Sequence, residues 1–294
     1  QVSTAGDTTN TTVTVRSAFG SRSATATTNR LDDAALREVV RNAETLARLS
    51  PEDPEAMPEL GPQQYLDSRG WSDATAQLDP AARAAAVRKI CDAAAAENLV
   101  ATGFLDATGV ATAIANSKGL FAYGRGSESA LTTTVRTADG RGSGWAGGAH
   151  WDWSRIDAEA LGRRAIEKAK ASREPVAIEP GRYTVVLEPT AVGNLVQLML
   201  GAMSARNADE GRSFFTRPGG GNKIGLKVVD ERVTITSDPM DAETYGLTFT
   251  GEGLPTKRMT WIENGVVKNL MYDRYWAKQK GVEPTGGGGG GGGG

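Results

Sequence analysis

At 294 residues, 39% of them hydrophobic and 23% charged, the chain is no disordered polypeptide and is long enough for two or three domains of about 100–150 residues each. A formal net charge of −2 gives no global pull toward nucleic acid or an anionic membrane, and no apolar run approaches the ~18–20 residues that a membrane-spanning helix needs. One cysteine, Cys91, excludes an internal disulfide and fits a reducing cytoplasm. A single histidine, His150, is too few for the two or three His ligands of a usual zinc protease, although a Ser-His-Asp triad needs only one.

The opening stretch, Gln1 to Gly6, has neither a basic nor an apolar region and does not read as a secretory signal. Two strands are predicted, Thr11–Arg16 and Arg22–Thr27, with Phe19-Gly20-Ser21 as the turn between them. A helix follows, capped by Asn29 with Asp32 and Asp33 in its first turn, burying Leu36, Val39, Val40, Ala43 and Leu46. These elements make an N-terminal α+β domain over 1–50. Residues 51–74, with Pro51, Pro54, Pro58 and Pro62, read as a linker crossing between two domains.

The central α+β domain is expected over 75–179. Asp79-Pro80 opens a helix that runs to about Glu97. Short strands with glycine turns follow: Leu99–Leu105, Gly109–Ala115, Leu120–Tyr123 and Ala130–Arg136, expected as an antiparallel meander. Asp157 opens a further helix through Leu161, Ala165 and Ala169. A last domain is expected over 180–285, starting with a buried strand, Tyr183–Leu187, and an apolar helix from Pro189 through Met199; strands and turns dominate from 211 onward. Residues 286–294 are all glycine and read as a linker or a placeholder. The fold class predicted is α+β, with an N-terminal and central antiparallel-sheet and helix portion followed by a mostly-β C-terminal domain.

Four features invite a chemical reading. His150, among Trp151 and Trp153, could serve as a general base or a stacking surface, but no Gly-x-Ser-x-Gly elbow accompanies it and a structural place at a strand edge is preferred. Cys91 lies mid-helix and reads as a small buried hydrophobe rather than a reactive thiolate. The run Gly219-Gly220-Gly221-Asn222-Lys223-Ile224-Gly225 lacks the Gly-Lys-Ser/Thr ending of a phosphate loop, so a loop beside a binding cleft is preferred. Asp230, Glu231, Asp238, Asp241 and Glu243 match no calcium-loop spacing and read as solvated loop carboxylates, Asp238-Pro239 starting a turn.

Several dispersed stretches resemble one family in the same order. Thr25–Asp32, the run Pro180-Gly181-Arg182-Tyr183-Thr184-Val185-Val186-Leu187-Glu188-Pro189, Gly219–Gly225, Gly251-Glu252-Gly253-Leu254-Pro255-Thr256 and Ile262–Val267 are similar to landmarks of the TldD/PmbA family, also named modulators of DNA gyrase. TldD-type members carry His-Glu-x-x-x-His on the helix after the opening strand of the last domain; two such histidines share one helix face and a zinc ion, and the glutamate activates water. Here the corresponding helix reads Asn194-Leu195-Val196-Gln197-Leu198-Met199-Leu200-Gly201-Ala202-Met203-Ser204, with no His and no Glu.

The resemblance therefore implies a PmbA-like chain without catalytic or metal residues of its own, with zinc expected in a TldD-like partner. It implies a two-fold, largely closed assembly with that subunit or with a second copy, holding unfolded peptide by added-strand pairing. It places Gly219, Gly220, Gly221, Asn222, Lys223, Gly251, Glu252 and Gly253 at the peptide-lined chamber or the subunit interface. Strands before Gln1 and a further sheet after Gly286 are also implied. A cytoplasmic, peptide-handling protein is the expectation, as subunit of a peptidase or as a homodimeric binding protein.

Overall fold

The computed structural model describes residues 5–285, which mix helices with antiparallel sheets in an α+β arrangement. The chain opens on a hairpin, β1 (Val13–Phe19) and β2 (Arg22–Thr28), with Phe19 opposite Arg22 across the turn. Helix α1 (Asp33–Leu49) packs on it. Asp32, rather than Asn29, is the N-cap: its carboxylate accepts from the Ala35 N–H at 3.0 Å. The buried stripe is also displaced from the predicted one. Ala35, Val39, Ala43 and Ala47 face the hairpin, while Val40 and Leu46 are exposed. A two-stranded ribbon covers only a narrow strip of helix, and small residues four apart let the backbone approach closest.

The predicted linker runs as an irregular strap through the short helix α2 (Asp73–Ala76) and is tied down along its length. Glu55 pairs with Arg206, the Arg274 guanidinium donates to the Pro58 carbonyl at 2.6 Å, and Asn116 Nδ2 donates to the Leu60 carbonyl at 2.9 Å. Helix α3 (Pro80–Ala96) begins where expected, with Asp79 accepting from the Ala81 N–H.

Where four short strands were expected there are two 17-residue ones, β3 (Leu99–Ala115) and β4 (Phe121–Thr137), in unbroken register; β5 (Ser143–His150) pairs with the far side of β4. Gly124 and Gly126, which fall between two of the expected strands, lie inside β4. Strand β4 changes its buried face midway. Ala122, Gly124 and Gly126 are buried on one side; Ser127, Ser129, Leu131, Thr133 and Val135 are buried on the other. The second set meets α3 and α4 (Ala158–Ala171) in a core with Ile90, Leu99, Leu161, Ala165 and Ile166. The first set meets the segment 245–249, as described below.

Asp157 caps α4 by accepting from the Ala160 N–H at 2.9 Å, as the sequence predicts. Asp157→Ala should lower stability by about 1 kcal/mol, read as a shift in the urea midpoint at unchanged slope.

Tyr183–Leu187 is not a buried strand. It forms no strand at all, and Val185 and Val186 are 68% and 96% exposed. A strand is completed by pairing its backbone, and no described residue pairs with this one. The next helix, α5 (Pro189–Gly201), is helical as predicted but buries no residue. The C-terminal core forms beyond it. Helix α6 (Ala205–Asp209), the sheet β6 (Ile235–Ser237), β7 (Met259–Glu263) and β8 (Val266–Val267), and helix α7 (Arg274–Lys280) surround Met203, Phe215, Trp261, Val267 and Leu270. Among the described residues no helix is long and apolar enough to cross a membrane.

Candidate functional site

The two glycine loops singled out by sequence are both tight turns; the glycines of the first are exposed, whereas in the second Gly251 and Glu252 are exposed and Gly253 is buried. In the first, the Arg217 N–H donates to the Gly221 carbonyl at 2.9 Å, and the Gly220 N–H donates back to the Arg217 carbonyl at 3.0 Å. Gly219, Gly220 and Gly221 have φ of 88°, 111° and 76°, and a Cβ at any of them would meet nothing within 4 Å. Backbone conformation, not crowding, demands glycine here. Asn222 leaves the turn inward and Lys223 lies over the exposed Phe214 ring, its Nζ 3.9 Å from the centroid.

What holds this turn is a carboxylate far from it in sequence. Asp209, the last residue of α6, has a side chain only 9% exposed. Its Oδ1 accepts from Asn222 Nδ2 at 2.8 Å; its Oδ2 accepts from Trp276 Nε1 at 2.8 Å and pairs with Lys280 Nζ at 3.2 Å. Burial alone would raise its pKa, but donation from Trp276, Asn222 and Lys280 outweighs that and holds the group below the ordinary aspartate value. Beside it, Arg206 pairs with Glu55 at 2.6 Å and with Glu210 at 3.0 Å, which holds its guanidinium charged and fastens the strap to α6.

The second loop rests on the strap and on the β3–β4 turn. Tyr65 Oη donates to the Gly253 carbonyl at 2.7 Å, and Tyr65 meets Phe249 edge-on at 5.7 Å. Glu252 is exposed as a residue, yet the surrounding protein partly desolvates its carboxyl and raises its pKa. Arg274 opposes that rise, whereas Asp273 adds to it. Among the described residues no hydrogen bond joins the two loops, but α7 reaches toward both. Arg274 at its start lies by the strap and Glu252, and Trp276 and Lys280 hold Asp209.

The remaining candidates are structural. The His150 ring accepts the Asp152 N–H at its Nδ1 (2.9 Å), which leaves the proton on Nε2. That Nε2 is buried without a hydrogen-bond partner, 3.7 Å from Glu243. The Ser129 hydroxyl donates to the His150 carbonyl and not to its ring, so no Ser–His pair forms there. Cys91 is half-buried, facing Ala101 and Phe104. The acidic run is used locally: Arg232 holds Asp230 down to a pKa of about 2, Glu231 pairs with Lys227, Asp238 and Asp241 accept from the backbone two residues on, and Glu243 pairs with Arg155. Sequence reasoning missed Asp209, Trp276, Arg206 and Tyr65, each of which has a partner 13 to 188 residues away.

Between residues 194 and 204 the polar side chains of and after α5 are Asn194, Gln197 and Ser204. Neutral amides and a hydroxyl are not the deprotonated sulfur, carboxylate or imidazole donors that zinc takes, so this helix does not fit the metal. Among the described residues no three His, Cys, Asp or Glu side chains group so as to hold an ion.

Comparison with known proteins gives these features a setting. Residues 73–173 match the PmbA/TldA metallopeptidase central domain and residues 180–293 the PmbA/TldA metallopeptidase C-terminal domain. A Methanothermobacter thermautotrophicus metalloprotease is 34% identical over 139 residues, which are 45% of this chain and 28% of that protein. A zinc metalloprotease TldD homolog of Saccharolobus solfataricus is 30% identical over 128 residues, 43% of this chain and 27% of that protein. The structure of TldE from Thermococcus kodakarensis superposes with a TM-score of 0.85 at 21% identity, covering 98% of this chain and 66% of that one. A Thermotoga maritima protein described as a modulator of a DNA gyrase gives 0.84 at 22% identity, covering 96% and 65%. The chain thus spans just under two thirds of those solved proteins, and its matched stretches less than a third of the curated relatives. Two successive domain matches, the ordered landmarks and the shared fold agree: the chain belongs to the TldD/PmbA family of metallopeptidase-like proteins.

Proposed function

We propose that this chain is a subunit of a TldD/PmbA-type metalloprotease assembly that degrades or matures unfolded peptides, with zinc supplied by a TldD-like partner rather than by this chain. One observation carries the reading. The helix that bears His-Glu-x-x-x-His in TldD-type members here presents Asn194, Gln197 and a run of leucines and methionines. On this reading the chain contributes binding surface in place of chemistry. The turns around Gly219, Gly220 and Gly221 and around Gly251 and Glu252 offer exposed backbone that an extended peptide or a neighbouring subunit can approach closely. A single half-buried cysteine and the slight negative charge are consistent with a cytoplasmic setting and with no nucleic-acid partner.

The test is metal analysis and cleavage of an unfolded peptide, with the protein alone and mixed with a TldD-type zinc subunit from the same source. Alone it should hold far less than one equivalent of zinc and cut nothing; the mixture should bind zinc and hydrolyse the peptide. Stoichiometric zinc or turnover in the isolated chain would overturn the reading. A second reading is a homodimeric peptide-binding or regulatory protein of the same fold. It predicts peptide affinity without hydrolysis in either sample.

A further inference from the structure

The lone histidine lies where the central sheet meets the segment that covers it. His150 ends β5, and its side chain is only 11% exposed. Its Nε2 is enclosed by the described residues and has no hydrogen-bond partner among them. Glu243 Oε2 stands 3.7 Å away, on the segment that runs on to Tyr245 and Phe249. That gap is too long for a hydrogen bond. An enclosed donor left short of an acceptor costs more than the bond would contribute.

The ring has two ways to meet the turn that follows it. Nδ1 is 2.9 Å from the Asp152 nitrogen and 3.2 Å from the Asp152 carbonyl oxygen. A neutral ring accepts the Asp152 N–H, and its Nε2–H is the group left unmet. A protonated ring carries hydrogen on both nitrogens and can accept from neither side. Donating to the Asp152 carbonyl instead needs only a small shift, and the positive charge then attracts Glu243. The other charged groups at this end of β5 are already engaged. Arg155, on the short turn Trp153–Arg155, reaches both Glu243 oxygens at 3.3 Å. The carboxylates of Asp152, Asp157 and Asp241 accept from the backbone N–H groups of Ser154, Ala160 and Glu243, and Asp73 accepts from the Trp71 indole. Strand β4 presents the uncharged Ser129, whose hydroxyl donates to the His150 carbonyl.

We propose that His150 is a proton-operated tie between the central sheet and the C-terminal segment. Neutral, the ring is fixed to its own turn and leaves Glu243 out of reach. Charged, it gains Glu243 and draws residues 241–245 onto the end of β5. The segment already touches this corner, since Trp151 Nε1 donates to the Ala242 carbonyl at 2.9 Å. The sign follows from charge. The folded chain sets a carboxylate against the ring, so the extra contact is present on the acid side of the histidine range and is lost as pH rises through it. The segment leads directly into the loop at Gly251–Gly253, so the tie governs how firmly that loop is seated. The inference is independent of where zinc is held.

The test is amide exchange over residues 241–249 of the full chain, read by mass spectrometry and corrected for the intrinsic rate at each pH. Measurements at about pH 8 and about pH 5.5 bracket an ordinary histidine and stay above ordinary carboxylates. In the unaltered chain, protection should rise about two- to fivefold toward acid, the scale of a partly exposed ion pair. Glu243→Gln and His150→Gln should each abolish that rise. Because His150 is the only histidine, its ring signal can be followed alone in an NMR titration. In Glu243→Gln the midpoint of that titration should move to lower pH, since the carboxylate is gone while Arg155 remains. This reading decides the matter if His150→Gln does not fold. Protection that stays level or falls toward acid in the unaltered chain would overturn the proposal. So would a rise that survives Glu243→Gln, or a histidine midpoint that this substitution leaves in place.

Discussion

Asp209→Ala should lower the unfolding free energy by about 3 kcal/mol, one of the larger losses available to a single substitution outside the hydrophobic cores. The carboxylate is nearly buried and receives three donors, from Asn222, Trp276 and Lys280. Removing it leaves the Trp276 N–H and the Asn222 amide without their acceptor, and an unmet buried donor costs more than a hydrogen bond gains. Because the three donors reach Asp209 from α7 and from the glycine turn, the loss should spread. Amide exchange at residues 219–223 should quicken, while Thr250–Leu254, held by Tyr65, should not change.

The same group gives a pH signature. Its folded pKa lies below the ordinary aspartate value, so its contribution is fully present above the unfolded pKa and is lost as pH falls through the folded one. Asp209→Asn keeps the shape but cannot ionise. The stability gap between the unaltered chain and Asp209→Asn should be widest near neutrality and close in acid, as read by urea titrations from about pH 7 down to about pH 3. A gap that stayed constant with pH would mean that the charge of Asp209 plays no part, leaving only its geometry.

How much of this could be read from the sequence varies with the distance over which each feature is decided. Val13–Phe19, Pro80–Ala96 and Ala158–Ala171 were legible because alternation, a proline at the first helical position and an aspartate cap act within a few residues. Strands β3 and β4 are each longer than the sequence suggests, β3 running on through 106–108 and β4 through 124–129, where Gly124 and Gly126 look like punctuation. Inside a strand they instead make room for what lies above. Tyr183–Leu187 has strand residues but no strand, since propensity cannot provide the partner. For α1 the period is right and Val39 and Ala43 are buried as expected, but Ala35 and Ala47 complete the stripe in place of Val40 and Leu46, because small residues face the thin hairpin. The glycine loops were recognisable as turns. Their anchors were not, because nothing local to Asp209 or Tyr65 marks it as the residue that holds a turn 13 or 188 positions away.

Gly126→Ala should cost about 1–3 kcal/mol although it adds a single methyl group. A Cβ at Gly126 would overlap Cζ and Cε2 of the Tyr245 ring, which lies flat against the strand there. Gly126 has no positive φ, so its backbone suits any residue and the penalty is purely steric. The ring belongs to the segment that covers the first half of β4: Leu247 and Phe249 lie over Gly124, and nearby Trp151 Nε1 donates to the Ala242 carbonyl at 2.9 Å. This is what turns β4 over between its two cores, one face toward the α3–α4 helices and the other toward residues 245–249. Displacing Tyr245 should therefore loosen the C-terminal segment from the central sheet while the core around Leu131 stays closed. Burial raises the pKa of the Tyr245 phenol, and the alanine variant should bring it back toward the ordinary tyrosine value in an ultraviolet titration. Gly124→Ala should cost less, because its Cβ would meet the flexible end of Leu247 at 3.0 Å. The decisive comparison is Gly126→Ala in a Tyr245→Ala background, where the methyl finds the space the ring has left. If the methyl costs as much there as in the unaltered chain, the two sites are uncoupled and the strand glycine serves some other end; a cost near zero identifies the ring as the reason that position cannot carry a side chain.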